Sequence, residues 1–261
     1  MTRYTVNASI LLTGTPLLQR AEKVAAAGFG AVEFWWPFAT AVPGDAEVDA
    51  FVRSVGDAGV QLSGLNFFAG DMPAGERGLV SLPSRSQEFV DNIDVVVDIG
   101  KRLGCTAFNA LYGLRGDGDP AAQDELAVEN LARAAEAVSA IGGTVLLEPV
   151  SGADAYPLKT AADALAVIDK VGAGNVALLA DFYHLAVNGD DVDAVIDGHA
   201  ARFGHVQIAD APGRGQPGSG DLPIRSWIEA AEARGYDGYV GLEYKDDSDD
   251  PFAWLPRAER R

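Results

Sequence analysis

The sequence predicts a single closed (β/α)8 TIM barrel, an α/β fold, with a weak or short eighth helix, and three observations carry the prediction. Short apolar runs alternate with stretches at helical spacing throughout the 261 residues, and strict strand–helix alternation at this length calls for a parallel sheet with its crossovers outside. Four of the runs close on oxygen-bearing side chains: Glu148, Asp181, Gln207 and Glu243. The glycine-rich fingerprint that an open dinucleotide-binding sheet carries after its first strand is absent, and Ser9-Ile10-Leu11-Leu12-Thr13 stands there instead.

Taken in order, Arg3 to Ser9 forms a first strand. Thr15-Pro16 opens a helix through Ala27, with threonine as N-cap and proline at the first position. Ala31 to Trp35 is the second strand, followed by a helix from about Asp45 to Ala58 with Val48, Phe51, Val52 and Val55 at helical spacing. Val60 to Asn66 leads into a long connection, Phe67 to Ser84, of the kind that is usually functional. A helix from about Arg85 to Leu103 precedes the strand Ala107 to Ala110, and a loop with Gly113, Gly116 and Gly118 leads to a helix from Ala121 to Ile141. In Thr144-Val145-Leu146-Leu147-Glu148-Pro149 the apolar run is buried on both faces and must finish at Glu148, because proline donates nothing to a ladder. Helices at about Thr160 to Val171 and Val192 to Ala201 flank the strand ending at Asp181, and strand seven ends near Gln207. The glycine- and proline-rich Ala211 to Leu222 is irregular, and Ile224 to Arg234 is the last full helix before strand eight. Pro251 and Pro256 limit the tail from Asp246 to a short turn around Phe252 to Leu255, so residues 1–261 are expected to form one domain with an irregular tail at 246–261.

With 38 acidic against 20 basic residues the formal charge is −18, which repels phosphate backbones and anionic membranes. Nucleic-acid and membrane partners are therefore not expected. No apolar run reaches the length of a spanning helix, the first residues lack a signal-peptide core, and a cytoplasmic protein is expected. The lone Cys105, in apolar surroundings, reads as a small core residue rather than a nucleophile.

In such a barrel the carboxyl ends of strands five to eight converge on one mouth, which brings Glu148, Asp181, Gln207 and Glu243 side by side. Four oxygen donors suit a hard divalent cation, Mg²⁺ or Mn²⁺, that could polarise a hydroxy-carbonyl substrate. Strand-end carboxylates can also simply cap the helices that follow. His184 lies one helical turn past Asp181 and could bind a substrate oxygen. The substrate's carboxylate needs a cation, for which Arg77, Arg214 and Lys245 are candidates, with Arg77 on a loop that can close as a lid together with Glu76 in an ion pair. Glu33 either contacts substrate or His184 or is a buried carboxylate paired with Arg or Lys. Asn66 and Asn109 are polar contacts at the same mouth or loop caps. The aromatic residues Phe34 to Phe38 and Phe67-Phe68 either wall a pocket or form a subunit contact, and a homodimer is one outcome.

The segments Ala69-Gly70-Asp71 with Gly75-Glu76-Arg77-Gly78, Leu147-Glu148-Pro149, Asp181-Phe182-Tyr183-His184, His205 to Asp210, Arg214 to Gly218 and Gly241 to Lys245 resemble the hydroxypyruvate isomerase family, which belongs to the xylose-isomerase-like barrels that include ketose 3-epimerases. The resemblance spans essentially the whole chain. It implies conversion of hydroxypyruvate, a small oxo acid, to tartronate semialdehyde, with Glu148, Asp181, Gln207 and Glu243 as metal ligands and His184 and Arg214 at the substrate. The chain departs from the related epimerases at Gln207, where they have histidine, and glutamine binds metal more weakly. The Gly113-to-Pro120 loop matches no motif of the family. The expected chemistry is proton transfer through an enediol, with Glu148 and Glu243 facing each other across the mouth as the catalytic pair. Competing readings are an isomerase or epimerase of a larger 2-oxo acid or ketose such as 2-oxotetronate, a multi-zinc phosphoesterase acting on damaged DNA, and a non-catalytic sugar-acid binder. Three histidines and the −18 charge oppose the phosphoesterase.

Overall fold

Eight parallel strands, β1 (Arg3–Asn7), β2 (Ala31–Phe34), β3 (Gln61–Asn66), β4 (Ala107–Asn109), β5 (Thr144–Leu147), β6 (Val176–Asp181), β7 (Phe203–Ile208) and β8 (Tyr239–Leu242), pair in chain order and close through β8 onto β1. The structure is a computed structural model that describes residues 2–116 and 118–260. Met1, Asp117 of the Gly113-to-Pro120 loop, and Arg261 at the end of the tail lie outside the described residues. The crossovers carry α1 (Ala8–Leu11), α2 (Leu17–Ala26), α3 (Asp45–Ala58), α4 (Ser86–Leu103), α5 (Pro120–Ser139), α6 (Ala161–Val171), α7 (Phe182–Val187), α8 (Val192–His199) and α9 (Ile224–Ala233). No helix among the described residues is long and apolar enough to cross a membrane.

The strands sort their side chains with period two. Outward, Val6, Val32, Phe34, Leu62, Phe108, Val206 and Ile208 are buried under the helices. Inward, the barrel is polar on one side: Thr5 Oγ1 meets Ser63 Oγ at 2.6 Å across β1 and β3, and Asn7, Glu33, His205 and Gln207 form a hydrogen-bonded group above them. The other side is apolar and tightly filled. A Cβ on Gly204 would lie 2.5 Å from Leu146 Cδ2 and 2.8 Å from Ala177 Cβ.

One short helix, α1, and one cap differ from the sequence reading, and the helical turn read from Asp181 to His184 continues as a helix to Val187. α1 and α7 follow directly on strand ends, started by Asn7 and Asp181, whose side chains accept from Ser9 N and Tyr183 N at 3.1 and 2.9 Å. Neither is long enough to display a helical repeat. The N-cap of α2 is Pro16, not Thr15, because the backbone of Thr15 closes a turn onto Leu12 O at 3.0 Å and Leu17 is the first helical residue. The Phe67-to-Ser84 connection is tacked down rather than free: Gly78 bridges Tyr112, Ser81 N donates to Tyr112 O and Gly113 N to Arg77 O. Gly78 has φ 102°, and a Cβ there would lie 1.9 Å from Leu111 O, so only glycine permits this approach.

The tail packs on the outside of the barrel, as expected from the sequence, with Trp254 against outward-facing Tyr4 and Tyr244 and its end against the α2–β2 connection. Phe252 and Leu255 are buried, Phe252 packs edge-on to Phe29 at 4.9 Å, and the Arg260 guanidinium donates to Leu255 O, Ala27 O and Phe252 O at 2.9, 3.0 and 2.6 Å. Arg260→Ala should lower unfolding free energy by about 2–3 kcal/mol, since a charged donor is lost and buried carbonyls are orphaned. Urea melts at constant m-value check this, and turnover should not change, because the catalytic mouth lies at the opposite end.

Candidate active site

The register of the last four strands assembles the mouth. Asp181 pairs with Gln207, Gln207 pairs with Gly241, and Glu243 and Glu148 are the first residues beyond β8 and β5. All four are buried. Each acidic side chain is held through one oxygen. Asp181 Oδ1 caps α7 by accepting from Tyr183 N and His184 N, Glu148 Oε2 accepts from Asn109 Nδ2 at 2.7 Å, and Glu243 Oε1 accepts from Trp35 Nε1 at 2.7 Å. Helix capping and a place at the mouth are thus compatible for Asp181. The remaining atoms Asp181 Oδ2, Gln207 Oε1 and Glu243 Oε2, with Asn109 Oδ1, are buried without a hydrogen-bond partner among the described residues. Buried oxygens rarely stay unpaired. An all-oxygen set orphaned in this way fits a hard divalent cation such as Mg²⁺ or Mn²⁺, with Glu148 as a further donor.

Electrostatics point the same way. Burial, then Asp181, raises the Glu148 carboxyl to about 8. Burial also lifts the Glu243 carboxyl well above the ordinary range, opposed by Arg214 and assisted by Glu148. Arg214 brings a positive charge to the cluster: its Nη2 lies 3.3 Å from Glu243 Oε2 and 3.7 Å from Asp181 Oδ2, and its Nε donates to Glu243 O at 3.2 Å. Burial disfavours its charge, yet Glu243, Asp181 and Glu148 together raise its pKa. Arg214 sits at φ 58°, an uncommon left-handed conformation held by its loop. Asp210 staples that loop, accepting from Ala211 N, Leu222 N and Gly218 N at 2.9, 3.0 and 2.8 Å.

His184 is a donor rather than a ligand. The oxygens of Glu148 and Asp181 and a nitrogen of His184 lie within 4.8 Å of one another, a spacing that could hold a metal. Ser151 N, which can only donate, reaches His184 Nδ1 at 3.0 Å, so Nδ1 is the acceptor and the proton resides on Nε2. That N–H points between Asp181 Oδ2 and Glu148 Oε1, at 3.6 and 3.8 Å. Burial, with Arg214 and Arg77, lowers the ring to about 4 against the pull of Asp181.

A cavity of about 1040 Å³ opens above these groups and is lined by Glu148, Glu243, His184, Arg214, Asn66 and Arg77, among others. Asn66 is buried and its amide makes no hydrogen bond among the described residues. Arg77 donates through Nη1 to Met72 O and Glu76 O and has no carboxylate partner there. The expected Glu76–Arg77 ion pair is replaced by Glu76–Arg85, since Arg85 also reaches Glu88 and forms a three-membered charge cluster. Two other candidates fall elsewhere. Lys245 is exposed, absent from the cavity lining, and bonded among the described residues only through its backbone N to Arg214 O; it lies past the end of β8 at Leu242, where the strand no longer directs side chains into the mouth. Glu33 lies beneath the mouth, with neither Arg nor Lys as partner: it accepts from His205, Gln207 and Asn7. Cys105 is buried and its thiol is pushed up to about 12 by burial, as a core residue should be. The sequence reading missed Ser151, Asp210 and Tyr156, whose hydroxyl donates to Glu148 O and accepts from Tyr112 N, both at 3.0 Å. It also missed the Trp35 bond to Glu243, for which an aromatic run carries no signal.

Comparison with known proteins agrees with this architecture. The sequence profile described as xylose isomerase-like TIM barrel matches residues 21–260. A Streptomyces coelicolor relative provisionally named hydroxypyruvate isomerase is 51% identical, covering 99% of this chain and 97% of its own. The 2-oxo-tetronate isomerase of Cupriavidus necator is 35% identical over 94% and 93%. A Brucella melitensis crystal structure described as an AP endonuclease, family 2, superposes with a TM-score of 0.89 at 32% identity, over 97% of this chain and 98% of that one. The chain belongs to the xylose isomerase-like TIM-barrel family. Within it, the chain is an isomerase of the hydroxypyruvate-isomerase-like group.

The His184 assignment is checked by long-range ¹H–¹⁵N spectra, which should show a neutral ring protonated at Nε2 from pH 6 to 8. The unfolded ring protonates near 6.5 and the folded one only at about 4. Acidification through that interval should therefore favour unfolding, because the unfolded chain binds the proton first.

Proposed function

We propose that the chain interconverts hydroxypyruvate and tartronate semialdehyde, with Glu148 and Glu243 as the proton-transfer pair. The observation that supports this most is the arrangement of those two carboxyls. Each is buried at one mouth and anchored at one oxygen by a neutral donor; burial and the charge of Asp181 raise Glu148 to about 8, and burial with the charge of Glu148 lifts Glu243 well above the ordinary carboxyl range. Such groups suit general base and general acid roles.

The carboxylate of the pair takes a proton from C3 of hydroxypyruvate. The C3–H electrons form the C2=C3 bond and the ketone electrons pass to O2. The hydroxyl proton then passes from O3 to O2, which becomes the C2 hydroxyl, the C3=O bond forms, and the carboxylic acid of the pair delivers a proton to C2. His184 Nε2–H and the Arg214 guanidinium are placed to stabilise the oxygens that carry charge along this path. Arg77, which has N–H groups to spare, binds the substrate's carboxylate, and Asn66 contacts its polar edge. A divalent cation held by Glu148, Asp181, Gln207 and Glu243 would supply Lewis-acid stabilisation of the developing oxyanion.

A second reading keeps the chemistry and enlarges the substrate. A cavity of about 1040 Å³ exceeds what a three-carbon acid fills, and the Cupriavidus relative is named for 2-oxo-tetronate. A reading as a DNA-repair enzyme, raised by the Brucella structure's name, conflicts with the −18 charge and with the histidines: His205 is committed to Glu33, and His184 carries its proton toward the carboxylates.

Glu148→Gln and Glu243→Gln should each reduce kcat by about 10²–10⁴-fold and abolish deuterium uptake from solvent into substrate. Exchange persisting in both variants would remove the pair from the mechanism. Arg77→Met should raise KM about 10- to 100-fold with kcat held, as expected for loss of a carboxylate grip. A panel of three- and four-carbon 2-oxo acids ranks the two substrates by kcat/KM.

A further inference from the structure

Gln207 is the least favourable member of the oxygen set, because an amide has two unlike ends. Turned one way it offers a carbonyl oxygen; turned the other it aims two N–H hydrogens at the same place, which would repel a cation. The structure settles the direction through a residue that does not line the cavity. Gln207 Nε2 donates to Glu33 Oε1 at 2.7 Å, and Gln207 Oε1 is left buried with no partner. Glu33 in turn is fixed from two more sides, accepting from His205 Nε2 at 2.7 Å through Oε2 and from Asn7 Nδ2 at 3.2 Å through Oε1. All of its contacts are donors, so it has nothing to offer the glutamine oxygen. The pair is also tightly enclosed. Gly241, paired with Gln207 in the sheet, leaves room for it: a Cβ there would lie 2.7 Å from Glu33 Oε1 and 2.8 Å from Gln207 Cγ.

We propose that Glu33 is a positioning residue that locks the Gln207 amide with its oxygen toward the mouth, so that glutamine serves as an oxygen ligand for a divalent cation. His205 and Asn7 keep Glu33 in place. The inference rests on the reading of the mouth as a cation site, and it explains how a weak, reversible-ended ligand works there: its rotation is removed before the ion arrives. Partners of this kind typically change metal affinity by about 10- to 100-fold.

The test is Mn²⁺ binding to the full chain by isothermal titration, without substrate or turnover. Glu33→Gln should weaken Mn²⁺ about 10- to 100-fold in the natural background. The same substitution made together with Gln207→Glu should cost little, because a carboxylate has two equivalent oxygens and needs no orienting. An equal loss in both backgrounds, or no loss in either, overturns the proposal, since a charge or packing role would be indifferent to which side chain stands at 207. If wild type binds no Mn²⁺, the cation reading of the mouth falls and this inference with it. Wild-type binding with Glu33→Gln unchanged removes this inference alone. Should the variants not fold, an anomalous map of Mn²⁺-soaked wild-type crystals decides. The ion is expected in coordination contact with Gln207 while Glu33 keeps its bond to the amide, and an ion remote from Gln207 overturns the proposal.

Discussion

The constraint on which this molecule turns is the crowding of negative charge in a dry mouth. A closed parallel barrel directs the carboxyl ends of all its strands to one face, and here β5, β6 and β8 each bring an acidic residue there. In low dielectric three carboxyls repel strongly and lose hydration. The raised pKa of Glu148 and Glu243 is the direct consequence. Arg214 is the local response to it. The loop that holds this arginine in a left-handed conformation is itself gathered around the buried carboxylate of Asp210. A scaffold that tolerates this arrangement without relaxing must fix each group independently, and the hydrogen bonds do so.

The fixing follows one pattern. Every ligand candidate gives one polar atom to the scaffold and keeps another for the mouth: Asp181 caps α7, Glu148 holds Asn109, Glu243 holds Trp35 and Gln207 holds Glu33. The donors to the scaffold-side oxygens are all neutral, so they orient without cancelling charge, while the Arg214 guanidinium faces the mouth-side Glu243 Oε2 at 3.3 Å and Asp181 Oδ2 at 3.7 Å. His184 obeys the same rule in reverse, with Ser151 occupying its acceptor nitrogen and leaving the N–H free. Polar atoms that would ordinarily count as unsatisfied are concentrated where an external partner can meet them.

Much of this was legible from residue patterns. Alternating apolar runs ended by Glu148, Asp181 and Glu243 specify both the barrel and the rim, because strand ends and mouth are the same place in this topology. α3 has the predicted limits, Asp45 to Ala58, since Gly44 and Gly59 bound a clear helical repeat. What the pattern does not encode is contact between distant strands. Glu33 and His205 are 172 positions apart and Trp35 and Glu243 are 208, and nothing local in either segment reveals the pairing. Lys245 shows the same limitation: a charge two residues past Glu243 reads as part of the site, but the chain has already left β8 and the side chain is exposed. Short helix α1 escaped for a different reason, as a single turn started by a strand-end side chain shows no period.

The arginines around the cavity divide into committed and free groups. Arg20, Arg77, Arg85 and Arg214 all line the cavity, yet three are already committed. Arg20 spans Thr15 O, Ala8 O and Thr13 O, Arg85 is shared by Glu76 and Glu88, and Arg214 is turned to Glu243 and Asp181. Only Arg77 keeps a guanidinium edge with no partner among the described residues. Arginine can take a carboxylate through two parallel hydrogen bonds, so one free edge matches one carboxylate. The wall above the carboxyl pair thus carries one unpartnered guanidinium edge beside the uncharged aromatic side chains of Trp35, Trp36 and Phe38. On the proposed chemistry, a three-carbon and a four-carbon 2-oxo acid would present the same acidic end and the same reacting carbons to Glu148 and Glu243, and would differ only toward the outer wall, where Trp35 also holds Glu243 Oε1 at 2.7 Å.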